Sequence, residues 1–182
     1  MIYNRYKNFI SSSTLQEINN ELLSSSRWVY RTNFWRYYLI ENLKPYNEED
    51  ESSWDGNQKD TMYKSLSGYW KALFDQLFEL TGPNFVLQRY ALTGQTLGQE
   101  QTMHPDTSIK LKGDFRSYLF YLNSNWDQEW GGLTEFQINS STIHCEIPEP
   151  GKLVVFDSQT LHRGQSPTKP NVLTLSMVLH GK

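Results

Sequence analysis

A chain of 182 residues with a net charge of −3 and a single cysteine, Cys145, excludes several classes of function at once. Mild acidity leaves no basic face for a phosphate backbone, so nucleic acid is not an expected partner. One thiol can form neither an internal disulfide nor a cysteine-cluster metal site, which suits a reducing, cytoplasmic setting.

The N-terminal "MIYNRYKNFI" has no signal-peptide core, and no run of about eighteen apolar residues marks a membrane span. The length suits one domain over 1–182, able to bury roughly 70% of its unfolded surface. Residues 13–24, "STLQEINNELLS", open with a capping-box pair, Thr14 and Glu17, and carry Leu15, Ile18 and Leu22 at helical spacing. "NEEDESSWDGNQKD" (47–60) is acidic and turn-rich, an exposed loop. Asp60 can cap a helix over 61–80, whose stripe of Leu66, Tyr69, Trp70, Leu73, Leu77 and Leu80 predicts packing against a sheet.

The period changes after "TGPN" (81–84). Six short runs read as strands: "FVLQRYAL" (85–92), "FRSYLFYLN" (115–123), "LTEFQI" (133–138), "STIHCEI" (141–147), "KLVVFD" (152–157) and "VLTLSMVLH" (172–180). Gly and Pro turns separate them, and no helix-sized segment remains for parallel crossovers. The expected architecture is mainly β, a barrel or jelly roll in 85–182, braced by N-terminal helices in 1–84.

With no cysteine cluster, a metal site must draw on histidine and carboxylate. Alternation in "STIHCEI" sends Ile143, Cys145 and Ile147 inward and His144 and Glu146 outward. His180, close to the end of the chain, reads as frayed or structural. His104, in "QTMHPDTS" (101–108), and His162, after "KLVVFD", remain at strand ends, where a barrel has its mouth. Two imidazoles and a carboxylate on one face form the triad of non-heme Fe(II) oxygenases, which leaves iron positions open for a 2-oxo acid and dioxygen. His104 and Asp106, two apart in an extended strand, can both reach one ion. The same pair also fits an Asp-containing turn after Pro105 with His104 merely hydrogen-bonded, and His-x-Asp alone does not decide between them.

"YLNSNWDQEWGGLTEF" (121–136) followed by "PGKLVVFDSQTLHRGQSP" (150–167) adds context. In this order and near this spacing, from about Phe85 to Leu179, the chain resembles the 2-oxoglutarate- and Fe(II)-dependent dioxygenases on their prolyl-hydroxylase-like branch. The resemblance implies a double-stranded β-helix, a cupin-like barrel, with His104, Asp106 and His162 as iron ligands and 2-oxoglutarate as co-substrate. It implies hydroxylation of a C–H bond of a peptidyl or free amino acid, proline among them, with dioxygen consumed and succinate and CO₂ released. Ascorbate would support turnover, and the substrate would be a peptide, a protein or a small molecule. Relatives that halogenate carry a small residue where Asp106 stands, so Asp106 favours hydroxylation.

Tyr121 falls where relatives hold the distal carboxylate of 2-oxoglutarate, and alternation puts Ser117 and Leu119 on its side. Tyr90 matches a tyrosine that lines the pocket, or is an ordinary strand aromatic. Gly131 and Gly132 read as a tight hairpin requirement. One departure stands out. The family's basic residue nine or ten positions after the distal histidine is here Asn171 or Val172, although Thr174 keeps the motif's hydroxyl. A buried carboxylate tail needs a countercharge. Lys169 could reach in from the preceding loop, Arg116 or Arg89 from neighbouring strands, or the co-substrate could differ. The same gap supports a second reading, a non-catalytic cupin-like metal-binding or sensing module.

Overall fold

A strand with four apolar residues in a row has no solvent face along them, and "LVVF" (153–156) folds accordingly. In the computed structural model, which describes residues 2–31, 34–37, 66, 68–107 and 114–181, this run is buried on both sides. The strands, in chain order, are β1 (Ile2–Tyr6), β2 (Trp28–Arg31), β3 (Phe34–Tyr37), β4 (Leu87–Gln95), β5 (Arg116–Tyr121), β6 (Thr134–Gln137), β7 (Ile143–Glu146), β8 (Leu153–Asp157), β9 (His162–Gly164) and β10 (Thr174–Gly181). The helices are α1 (Ser12–Ser24) and α2 (Gly68–Thr81). A seven-stranded sheet runs β1-β8-β5-β10-β4-β3-β2, and a three-stranded sheet β7-β6-β9 faces it. All strand pairs are antiparallel. This is the two-sheet wrap of a double-stranded β-helix.

Period-2 alternation splits the large sheet into two differently furnished faces. Leu153 and Val155 of β8, Tyr118 and Phe120 of β5, and Leu175, Met177 and Leu179 of β10 meet Leu15, Ile18 and Leu22 of α1 and Trp70, Leu73, Phe74 and Leu77 of α2. Their alternates Val154, Phe156, Leu119 and Tyr121 turn the other way and close on Phe136 of β6, between the sheets. From Tyr69 to Leu77 the apolar stripe expected over 61–80 is thus the packing face of α2, whereas Leu66 is buried but lies outside the helix, which starts at Gly68, and Leu80 is exposed.

Three corrections concern the first half. Helix α1 begins a residue before the expected start, and its cap is Ser11, whose Oγ accepts from Thr14 N–H at 3.2 Å; the Thr14–Glu17 box is not the capping pair. Residues 1–84 are more than helical support, because β1 adds an edge to β8 and β2–β3 extend the sheet beyond β4. The aromatic, β-branched runs "IYNRY", "WVYR" and "FWRY" carry strand propensity that favours a half-buried pleated surface. The acidic loop 47–60 and residues 61–65 of the expected helix lie outside the described residues.

The helix layer is pinned by one carboxylate. Glu21 of α1 accepts from Tyr37, Tyr69, Arg27 and Trp70 Nε1, the last at 2.8 Å. Burial alone would raise its pKa. The hydrogen bonds from Tyr37, Tyr69 and Trp70 and the Arg27 charge outweigh burial and hold it below the ordinary carboxylate value. The same contact and burial push the Tyr37 phenol up to about 12.

Candidate metal centre

The mouth of the barrel is built by a backbone exchange. His104 N–H donates to the His162 carbonyl and His162 N–H to the His104 carbonyl, both at 3.0 Å, forming an isolated antiparallel bridge. Two positions on, Asp106 N–H donates to the Ser158 carbonyl at 2.8 Å. In an extended segment residues i and i+2 share a side, so His104 and Asp106 face the same space as His162.

The side chains converge there. One ligand atom from each of His104, Asp106 and His162 lies within 4.8 Å of the others. Three such atoms share a point about 2.8 Å or less from each, a small rotamer adjustment away from coordination bonds of roughly 2.1 Å. His162 Nε2 is 3.5 Å from Asp106 Oδ2.

Each imidazole donates its Nδ1–H to a carbonyl two residues earlier, His104 to Thr102 at 2.8 Å and His162 to Thr160 at 2.9 Å. That fixes the tautomer and leaves Nε2 as the nitrogen with a lone pair to offer, the usual outer support of a metal-binding histidine. Phe136 stacks on His162 with ring planes 23° apart, and Phe156 meets it edge-on at 4.8 Å. Two nitrogens and an oxygen on one side, oriented from behind and backed by aromatic rings, fit a divalent iron with open positions.

Behind Asp106 lies a polar network that the sequence reading underestimated. Ser117 of β5 donates its hydroxyl to Asp106 Oδ2 at 2.7 Å. Having one proton to give, Ser117 Oγ then accepts from Ser158 Oγ at 2.9 Å and from His180 Nδ1 at 3.0 Å. His180 is 2% exposed, which decides for the structural of its two expected readings, and its Nδ1 is 3.7 Å from Asp106 Oδ2. The signal was available in β10, where Thr174, Ser176, Val178 and His180 alternate with the apolar Leu175, Met177 and Leu179.

The other expected site residues divide. Tyr121 is buried between the sheets and donates its hydroxyl to Thr134 Oγ1 at 2.9 Å. Burial holds that phenol well above the usual range, so it remains a donor at neutral pH. Thr174 is buried, gives its proton to the Gln95 carbonyl at 3.3 Å and lies against the Gly131-Gly132 turn. Both glycines have positive φ, 70° and 67°, and a Cβ on Gly132 would fall 2.6 Å from Thr174 Cγ2, which makes the pair a hairpin requirement.

Tyr90, by contrast, packs against the helix-side cluster, because Thr93, its neighbour of opposite parity, reaches across to Ser176 at 3.0 Å. Lys169 is exposed, with Nζ 5.4 Å above the Trp130 ring, and does not enter the barrel. Arg116 is 45% exposed beside Asp114. The Arg89 side chain lies outside the described residues.

Strand β7 presents the reverse of its expected faces. Ile143 is 53% exposed and Cys145 is exposed, while Glu146 is only 5% exposed. The carboxylate turns inward because it is matched there: Arg5 of β1 and His144 bond it from one side, and Lys152 Nζ lies 3.2 Å away on the other. Burial opposes the Glu146 charge, but the bonds from Arg5, His144 and Lys152 and the lysine charge keep its pKa below the ordinary value.

A double-stranded β-helix with two histidines and an aspartate at its mouth defines a class, the cupin-like barrels that hold a non-heme metal. Within that class, the profile of the 2OG-Fe(II) oxygenase superfamily matches residues 85–178, and the chain belongs to that family. It is therefore an Fe(II)/2-oxoglutarate-dependent oxygenase. Solved structures share the fold at low identity. A Pseudomonas putida prolyl-4-hydroxylase aligns with TM-score 0.64 and 14% identity over 98% of this chain and 91% of its own.

A Trichoplax adhaerens prolyl hydroxylase, in complex with a hypoxia inducible factor oxygen degradation domain peptide fragment, gives 0.61 and 16% over 98% and 82%. A viral collagen prolyl hydroxylase of Paramecium Bursaria Chlorella virus-1, solved as a 2OG complex, gives 0.60 and 12% over 98% and 94%. No curated protein matches the chain in sequence. No described helix is long and apolar enough to cross a membrane.

Proposed function

We propose that the chain hydroxylates a C–H bond of a peptidyl or free amino acid, with proline the leading candidate, converting 2-oxoglutarate to succinate and CO₂. His104, Asp106 and His162 would hold the iron. The observation that carries this reading is their convergence within 4.8 Å at the mouth of a barrel whose sequence matches the oxygenase family. The bound ion would supply the oxidising chemistry.

The chain's own residues hold and screen it. The carbonyls of Thr102 and Thr160 orient the imidazoles, Ser117 orients the carboxylate, and Phe136 and Phe156 keep water from the inner side of His162. Tyr121, protonated and buried, would turn its one hydroxyl proton from Thr134 to the co-substrate tail. Beside Thr160, a groove of about 430 Å³ lined by Gln137, Asn139, Gln159 and Leu161 offers amide donors and acceptors suited to a peptide backbone.

The test is aerobic incubation with Fe(II), 2-oxoglutarate, ascorbate and a set of proline-containing peptides. Succinate formation together with a peptide that gains one oxygen atom is expected. Val172, which leaves the last strand without the usual cation, favours one competing reading: a metal-binding module without turnover. An iron-loaded protein that binds no 2-oxo acid and forms no succinate would establish that reading instead.

A further inference from the structure

The family reading leaves the co-substrate's distal carboxylate without its usual cation. We propose that Lys152, at the entry to β8, supplies it, an inference that rests on the 2-oxoglutarate reading above. Among the described residues, Lys152 is the single lysine or arginine that is buried, at 2% exposure. It shares strand parity with Val154 and Phe156, which face the space between the sheets. Its carbonyl accepts from Tyr121 N–H at 3.0 Å, and its Nζ lies 5.2 Å from the Tyr121 ring centre. The ammonium therefore stands in the same part of the barrel as the Tyr121–Thr134 hydroxyl pair.

The Lys152 ammonium has three protons and two carboxylate neighbours, which leaves one proton for a further acceptor. Arg5 and Lys152 both converge on the Glu146 carboxylate. Glu149 is 3.5 Å from Lys152, but it is more exposed and also pairs with Lys7 at 3.3 Å. Of the three cations in this cluster only Lys152 is buried, beside the buried Glu146, and it is the one that faces the lumen. A buried ammonium is stable only while its charge is matched and its protons are accepted. A carboxylate tail entering beside Tyr121 would complete that match, with Glu146 holding Lys152 in position until it arrives. The substitution of Val172 for a basic residue on the last strand is then a relocation of the charge across the barrel.

The experiment compares two 2-oxo acids on Mn(II)-loaded protein, read by calorimetry or by quenching of tryptophan fluorescence, so that turnover is not involved. The probes are 2-oxoglutarate and 2-oxopentanoate, which carries a methyl where the tail carboxylate stands. Native protein is expected to prefer 2-oxoglutarate by about tenfold or more, the scale of a charge-assisted hydrogen bond. Lys152→Met should bring that preference close to one while leaving the affinity for 2-oxopentanoate intact, and Lys152→Arg should keep most of it. If Lys152→Met does not fold because Glu146 is left unpaired, Lys152→Met with Glu146→Gln removes both charges and is read in the same way. A full preference surviving in Lys152→Met, or no preference in the native protein, overturns the assignment of Lys152 while leaving 2-oxo acid binding in place. Native protein that takes Mn(II) but neither probe overturns the 2-oxoglutarate reading itself.

Discussion

The two faces of the seven-stranded sheet are made by the same strands and have opposite chemistry. Toward the helices, β5, β8 and β10 present Tyr118, Phe120, Leu153, Val155, Leu175, Met177 and Leu179, nearly all hydrocarbon. Toward the smaller sheet the same strands present Leu119, Val154, Phe156 and Val178 interspersed with Ser117, Tyr121, Thr174, Ser176 and His180. Each of these polar side chains has a defined partner: Ser117 bonds Asp106 and His180, Tyr121 bonds Thr134, Ser176 bonds Thr93 and Thr174 bonds the Gln95 carbonyl. Apolar burial grows with area and is indifferent to direction, whereas a buried polar group must find a partner of defined geometry. The helix side is thus suited to stability, and the lumen side to holding a few atoms in fixed positions.

Substitutions should separate these two roles. The largest effect is expected on the lumen side. His104→Ala should abolish Fe(II) binding in calorimetry while the thermal midpoint moves little, since His104 is at the mouth. Asp106→Ala should abolish binding too and lower the midpoint further, because it takes the acceptor from Ser117. Loss of folding in both would place them in the structural core instead. On the helix side, Phe74→Ala should destabilise the chain by about 3–5 kcal/mol in denaturant titrations and leave metal affinity per folded molecule unchanged. Phe74 is 0% exposed within the helix-side cluster.

Ser117→Ala sharpens the contrast because it touches both roles. It removes the donor to Asp106 and one hydrogen-bond partner each of Ser158 and His180, so stability should fall by about 1–3 kcal/mol and metal affinity by about 10- to 100-fold. The smallest effect belongs to Glu21, a polar outlier on the helix side. Its folded pKa is depressed, so its contribution is present above its unfolded value of 4.5 and is lost as pH falls through the lower folded value. Glu21→Gln should therefore flatten the acid limb of stability measured between about pH 5 and pH 3.

The division between the faces was visible in some strands and hidden in others. In β5, β8 and β10 the Gly and Pro punctuation and the length of the runs marked the elements, and the helical stripe of α2 marked what would cover them. The position of His104 and Asp106 was visible only through the motifs downstream, because two residues of a turn say nothing about a histidine more than fifty positions away. Strand β7 was misjudged because Ile143 and Cys145 look like inward residues. The partners that draw Glu146 inward, Arg5 and Lys152, come from β1 and the start of β8, which no local pattern connects. For His180 the place near the end of the chain left a frayed and a structural reading open, and its parity in β10, shared with Ser176 and Thr174, decides for the structural one.

The reciprocal bridge between the main chains of His104 and His162 has a thermodynamic corollary. Because the carbonyls and amides of the two segments are already clasped, an incoming cation has to order two rings and one carboxylate, and no loop closure is charged against its affinity. A chelator should accordingly strip the ion and leave the clasp shut, with amide exchange at both residues as slow in the stripped protein as in the loaded one.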